Sequence, residues 1–135
     1  MKVGIIGVGL IGGSLALSVR EHIPDSKIYG SNRSEANLKK SLKIGLIDFA
    51  LQNNDIKSMD IILLAIPVDI AMNLLVGLLD QVNDNCLVID FGSTKYPICK
   101  AVALHHKRGQ FLATHPIAGT EFSGPLAALP DLFLN

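Results

Sequence analysis

MKVGIIGVGLIGGS, residues 1–14, places Gly7, Gly9 and Gly12 directly after a short apolar strand, Lys2 to Ile6, and directly before an apolar helical stretch. In this spacing Gly7 permits a tight strand-to-helix turn, Gly9 lets the backbone approach a pyrophosphate, and Gly12 lets the helix pack close to the strand. The anion would rest on free backbone N–H groups at the helix N-terminus, where the dipole favours negative charge, with Leu10 and Ile11 as further candidates beside Gly12. Glycine-rich turns are common, so the surrounding sequence decides.

That surrounding sequence has a βαβ pattern. Leu10 to about Glu21 reads as a helix and Lys27 to Gly30 as a second strand, closing a unit of close to thirty residues. An acidic residue is expected about 20 positions past the last glycine, on the adenosine ribose. That count lands on Asn32, inside Ser31-Asn32-Arg33, and no carboxylate stands there. An amide can bond a ribose hydroxyl without repelling a 2′-phosphate, and Arg33 can pair with one. The reading leans toward NADP over NAD; the alternative is that Arg33 is an ordinary solvated residue entering the next helix.

Further along, Ser34 is a candidate N-cap for a helix over Glu35 to Lys43 with Ala36, Leu38, Leu42 and Ile44 as apolar members, and Gly45 ends it. Strands are expected at Leu46 to Leu51, Ser58 to Ile66, Cys86 to Phe91 and Phe111 to Thr114, and helices at Val68 to Leu79 and Thr94 to about His106. Strand and helix alternate throughout. The fold class is therefore α/β, a Rossmann-type doubly wound, mostly parallel sheet with helices on both faces.

At 135 residues, 49% of them hydrophobic, the chain is one domain's worth with a real core. Twelve basic and twelve acidic residues cancel, which leaves no broad basic face for nucleic acid or an anionic membrane. The uncharged run Val3 to Val19 resembles a signal peptide only superficially, because its five glycines fall in the phosphate-loop pattern. Cys86 and Cys99 lack metal-ligand spacing and read as small core thiols of a reducing, cytoplasmic compartment.

Ligands of such sheets sit beyond the C-terminal strand ends, so the residues there are the site candidates. Ile66 and Pro67 would line a cofactor with apolar surface, or merely end a strand. Asp90-Phe91-Gly92-Ser93-Thr94-Lys95 brings a hydroxyl and an ammonium to a helix start, suited to an anion or polar substrate group, although Ser93 or Thr94 can serve as the N-cap. His115, directly after a strand and before Pro116, is placed to accept a proton near neutrality beside a hydride acceptor. His22, His105 and His106 read as structural, the last two near a helix C-terminus. Glu121 reads either as a helix-start carboxylate or as a residue closing over substrate.

GVGLIGGSLA (Gly7–Ala16), DFGSTK (Asp90–Lys95) and HPIAGTEFSG (His115–Gly124), in this order and at these separations, resemble the prephenate and arogenate dehydrogenases of tyrosine biosynthesis over essentially the whole chain. The resemblance implies oxidative decarboxylation: a hydride leaves the ring carbon bearing the 4-hydroxyl for NAD(P), carbon dioxide departs, and the ring becomes aromatic. It implies that His115 helps deprotonate that hydroxyl, that Ser93 supports the same interaction, and that Glu121 lies near the substrate entrance. Asn32 stands where many NAD-using members carry aspartate. Family members continue into a helical C-terminal domain with the dimer interface and an arginine for the substrate carboxylate. Residues 1–135 are accordingly expected to be a truncated nucleotide-binding domain of a homodimer, with little turnover alone, ending at Leu132–Asn135 in what looks like another strand. The alternatives are another Rossmann dehydrogenase of a small hydroxy or imino acid, and a non-catalytic nucleotide-binding module.

Overall fold

The computed structural model describes residues 1–134. Six strands form one sheet: β1 (Lys2–Ile6), β2 (Lys27–Ser31), β3 (Phe49–Ala50), β4 (Ile61–Leu64), β5 (Leu87–Asp90) and β6 (Phe111–Ala113). Every pairing is parallel and the order is β3-β2-β1-β4-β5-β6, so the winding reverses between β1 and β4. The helices are α1 (Leu10–His22), α2 (Glu35–Lys43), α3 (Val68–Gln81) and α4 (Tyr96–Ala101).

Alternation along the strands divides the apolar residues into two cores. Val3 and Ile5 of β1, Ile28 of β2 and Leu63 of β4 bury against Ala16 of α1 and Leu38 of α2. Ile62 and Leu64 of β4 and Val88 of β5 point to the other face, onto Ala71, Leu75, Leu78 and Leu79 of α3 and Ile98 of α4. Helices therefore cover both faces, as continuous apolar strands require. Cys86 is buried just before β5, and that burial pushes its thiol up to about 11, with Asp60 acting in the same direction and Lys107 against it.

Local chemistry sets most element ends. The Ser34 hydroxyl accepts from the Asn37 N–H at 3.3 Å, and Gly45 leaves α2 at φ +75°. Leu42 and Ile44, expected on the apolar face of α2, are exposed instead. The third strand is shorter than expected because Asp48 intervenes. Its carboxylate accepts the Ile28 N–H at 2.8 Å and pairs with Arg20 at 2.9 Å, while Leu46 and Ile47 drop into the core. The strand expected over Ser58 to Ile66 begins only at Ile61, since Asn53–Ser58 is a 3₁₀ helix in which Asp55 accepts from the Gln52 N–H.

The helix expected over Thr94 to His106 is restricted to Tyr96–Ala101. Pro97 lies in its first turn, Lys95 is its N-cap, and neither Ser93 nor Thr94 caps it. His105 and His106 consequently lie beyond that helix; His105 Nε2 meets Asp80 at 3.2 Å and its Nδ1 accepts from the Lys107 N–H. The strand expected at Leu132–Asn135 is a turn over its described part, with the Leu134 N–H donating to the Asp131 carbonyl; Asn135 lies outside the described residues.

No helix among the described residues is long and apolar enough to cross a membrane.

Candidate functional site

The glycine loop leaves β1 through Gly7 at φ +96°, a conformation that side chains resist, and a Cβ there would sit 2.4 Å from the Ala65 carbonyl oxygen. A Cβ on Gly12 would lie 2.2 Å from the Gly7 oxygen, so the helix can approach the loop only without one. Gly9 differs: a Cβ there meets nothing within 4 Å, because this residue faces open space.

Backbone partners show which amides are available. The Gly7 and Val8 N–H groups donate to the Ser31 carbonyl at 3.0 and 3.3 Å, and the Gly9 N–H donates to Gly7 at 2.9 Å. Gly13 opens the helical ladder by donating to Gly9. Leu10, Ile11 and Gly12 are thus the first-turn donors that no helix satisfies. No side chain caps α1 and no acidic residue occupies its first turn. These features form a positive, unblocked cradle for a phosphate.

Gly7, Gly9, Ser31, Asn32, Arg33, Ile66 and Pro67 line one cavity of about 620 Å³, so the structure brings together the candidates drawn from the ends of β1, β2 and β4. Leu10, Ile11 and Gly12 form the turn beside it. Asn32 carries a structural task beside the one expected. Its Nδ2 donates to the Val8 carbonyl at 3.0 Å and its Oδ1 accepts from the Ser34 N–H at 3.0 Å, tying the glycine loop to the start of α2. Both ends of the amide are engaged with backbone. Arg33 is exposed on the cavity rim and makes no ion pair among the described residues.

Sequence reasoning missed Asn37, Ile70, Leu74, Ser123 and Gly124, which line the same cavity. Asn37 sits three residues past a recognisable N-cap, and Ile70 and Leu74 share a helical face after Pro67, so these were findable. Ser123 and Gly124 close the HPIAGTEFSG motif, but nothing in its spacing places them beside the glycine loop. They reach the cavity because the chain returns from β6 to α1, where Pro125 is buried, Ala128 meets Gly13, and the Leu129 N–H donates to the buried Ser14 hydroxyl at 2.9 Å.

Ser93 and His115 follow β5 and β6 on the same sheet edge, and both are exposed. Neither lines the glycine-loop cavity. Strands lie about 4.8 Å apart, so the strands that these two residues follow lie about 5 and 10 Å beyond β4 along the edge. Between them Lys95 pairs with fully buried Asp90 and also donates to the Thr114 carbonyl, so its ammonium is not the open anion ligand expected. Glu121 lines a separate cavity of about 620 Å³ with Thr120, Phe122, Ser123 and Leu126. Ile117, two residues after His115, holds φ +46°, a strained angle for a β-branched residue.

Among the described residues, one cluster offers metal-ligand atoms. Asp80, His105 and His106 bring theirs within 4.8 Å of one another. Because His105 Nδ1 accepts the Lys107 N–H, the proton of the neutral ring is on Nε2 and is donated to Asp80, which removes the lone pair a metal needs.

Residues 15–135 match the family described as "Prephenate dehydrogenase, nucleotide-binding domain". The chain is 36% identical over 138 residues to a prephenate dehydrogenase of Lactococcus lactis, covering 99% of this chain and 39% of that protein. Among solved structures, the prephenate dehydrogenase of A. aeolicus in complex with hydroxyphenyl propionate and NAD+ superimposes with a TM-score of 0.84 at 30% identity, over 98% of this chain and 47% of that one. A Synechocystis arogenate dehydrogenase gives a TM-score of 0.80 at 28% identity, over 98% and 46%. The chain thus spans less than half the length of each.

Proposed function

Because this chain belongs to the prephenate dehydrogenase family, matching its nucleotide-binding domain, we propose that it binds a nicotinamide dinucleotide along the C-terminal sheet edge and serves the oxidative decarboxylation of prephenate or arogenate. The observation that carries this is the uncapped start of α1, with open space at Gly9 and the Leu10, Ile11 and Gly12 amides left over, on the edge that also bears Ser93 and His115.

On this reading the three amides seat the pyrophosphate. Ile66 and Pro67 supply an apolar wall, and Ser31 and Arg33 flank the adenosine ribose. With Asn32 committed to backbone, no carboxylate repels a 2′-phosphate and Arg33 can pair with it, so NADP is preferred over NAD. When bound, the nicotinamide supplies the hydride acceptor. His115 accepts the proton of the substrate's ring hydroxyl, Ser93 hydrogen-bonds the same oxygen, and Glu121 borders the substrate's approach. The whole protein, on the same reading, is a cytoplasmic homodimer.

Titration with NADPH and NADH, followed by nicotinamide fluorescence, tests the binding, and prephenate- and arogenate-dependent reduction of NADP+ tests the chemistry. In the whole protein, since residues 1–135 alone are expected to turn over little, His115→Asn is expected to keep the nucleotide affinity while turnover falls about 10²–10⁴-fold, the usual contribution of a general base. A wild-type chain that binds neither nucleotide refutes the proposal.

A further inference from the structure

Asp90 ends β5 with no solvent exposure. Its Oδ1 accepts the Gly92 N–H at 3.1 Å and its Oδ2 takes the Lys95 ammonium, closing the loop that carries Ser93. Lys95 Nζ also donates to the Thr114 carbonyl. In return the Thr114 N–H and hydroxyl both donate to the Asp90 carbonyl, at 2.9 and 2.7 Å. Four residues, 90, 92, 95 and 114, thus form one knot between the ends of β5 and β6. Ser93 lies inside the loop it closes, and His115 is the next residue after Thr114.

Two general points bear on what the knot does. A buried ion pair is a poor route to stability, since an apolar pair of similar volume does as well or better, whereas removing one partner leaves a costly unpaired charge. Its hydrogen bonds, however, fix position, because each has a required length and direction. An ammonium has three donors, and two here are taken by Asp90 and Thr114, so most of the hydrogen-bonding capacity of Lys95 is spent on protein.

We propose that Lys95, seated on Asp90, is a positioning residue that yokes the Ser93 loop to the strand end bearing His115 and so sets the spacing between those two side chains. The catalytic consequence rests on the reading of Ser93 and His115 given above; the yoke itself is a property of the two strand ends. It acts through position and touches neither nucleotide nor substrate.

The test uses the 135-residue chain in three variants: Lys95→Met, Lys95→Arg, and the double variant Asp90→Asn with Lys95→Met. Melting temperature reports stability. The Ser93 amide and His115 ring resonances, together with hydrogen exchange at the Thr114 N–H, report position. Lys95→Met is expected to lower the melting temperature, displace both resonances and speed Thr114 exchange at least tenfold. The double variant removes the unpaired charge and is expected to recover the melting temperature while both resonances stay displaced; Lys95→Arg restores them in large part. Recovery of stability and resonances together in the double variant makes the pair a structural staple and overturns the proposal. So does Lys95→Met with Ser93 and His115 unmoved. NADPH affinity of the wild-type chain is measured in parallel: its absence sinks the dehydrogenase reading, whereas the variant series alone decides the yoke.

Discussion

Replacing Gly9 and Gly12 separately by alanine distinguishes a glycine required by packing from one required by a ligand. At Gly12 the new Cβ would lie 2.2 Å from the Gly7 carbonyl oxygen and 3.1 Å from Ile5 Cγ2. The obstructing atom is backbone, in a loop pinned by the bonds of Gly7 and Val8 to Ser31, so helix and loop must part by most of an ångström. Overpacking of this kind costs about 1–3 kcal/mol. With an unfolding entropy of roughly 2.1 cal/mol/K per residue, the melting temperature should fall by about 4–11 °C. At Gly9 the methyl meets no protein atom within 4 Å, and the loss is at most about 1 kcal/mol of N-cap preference, about 4 °C. On the proposed reading the same methyl projects into the phosphate approach. Losing one hydrogen bond to a charged group, worth about 1.5–3 kcal/mol, weakens NADPH binding by about 10- to 160-fold. Circular dichroism melts and nicotinamide fluorescence titrations give both quantities for both variants. A Gly9→Ala chain that binds NADPH as tightly as wild type would refute the assignment of this loop as the phosphate seat.

Arg33→Ala should weaken NADPH about tenfold while leaving NADH nearly unchanged, since an exposed cation on the cavity rim is lost and the Asn32 brace stays; equal weakening of both nucleotides in parallel titrations would exclude Arg33 as the 2′-phosphate partner. The Cys86 thiol, pushed from 9.0 up to about 11 by burial, should alkylate far more slowly at pH 8.5 than half-buried Cys99, as peptide mapping after iodoacetamide would show. Its raised value favours the protonated, folded form, so this contribution to stability is complete below pH 9 and is lost as pH rises from 9 toward 11. A melting-temperature profile in which Cys86→Ala declines as steeply over that window would contradict the assignment. Ser14→Ala leaves the Leu129 N–H without its 2.9 Å acceptor and should destabilise the chain by about 1–3 kcal/mol, read from urea unfolding; an unchanged midpoint would mean that the return segment is not held there.

What was legible in the sequence is what depends on neighbours a few residues apart. The glycine turn, the N-cap at Ser34, and the apolar runs of β1, β4 and β5 announce themselves because each is dictated locally, by φ, by a hydroxyl or by burial on both faces. The misread elements were decided at long range. Asp48 shortens the third strand by bonding to Ile28, twenty residues away, and no spacing rule reveals that. Asn32 was correctly located at the end of β2, but its partners, Val8 on one side and Ser34 on the other, are visible only once the glycine loop is folded over it. Lys95 shows the same limit most clearly. Read along the chain it is a cation at a helix start, suited to an anion; in the fold its charge is already matched by Asp90, which appears in sequence as the ordinary end of a strand. Composition and spacing reveal which groups reach the sheet edge. Whether a group there is free for a ligand or engaged with protein is settled by hydrogen bonds across strands. That distinction moves Lys95 from the binding surface to the framework that holds Ser93 and His115.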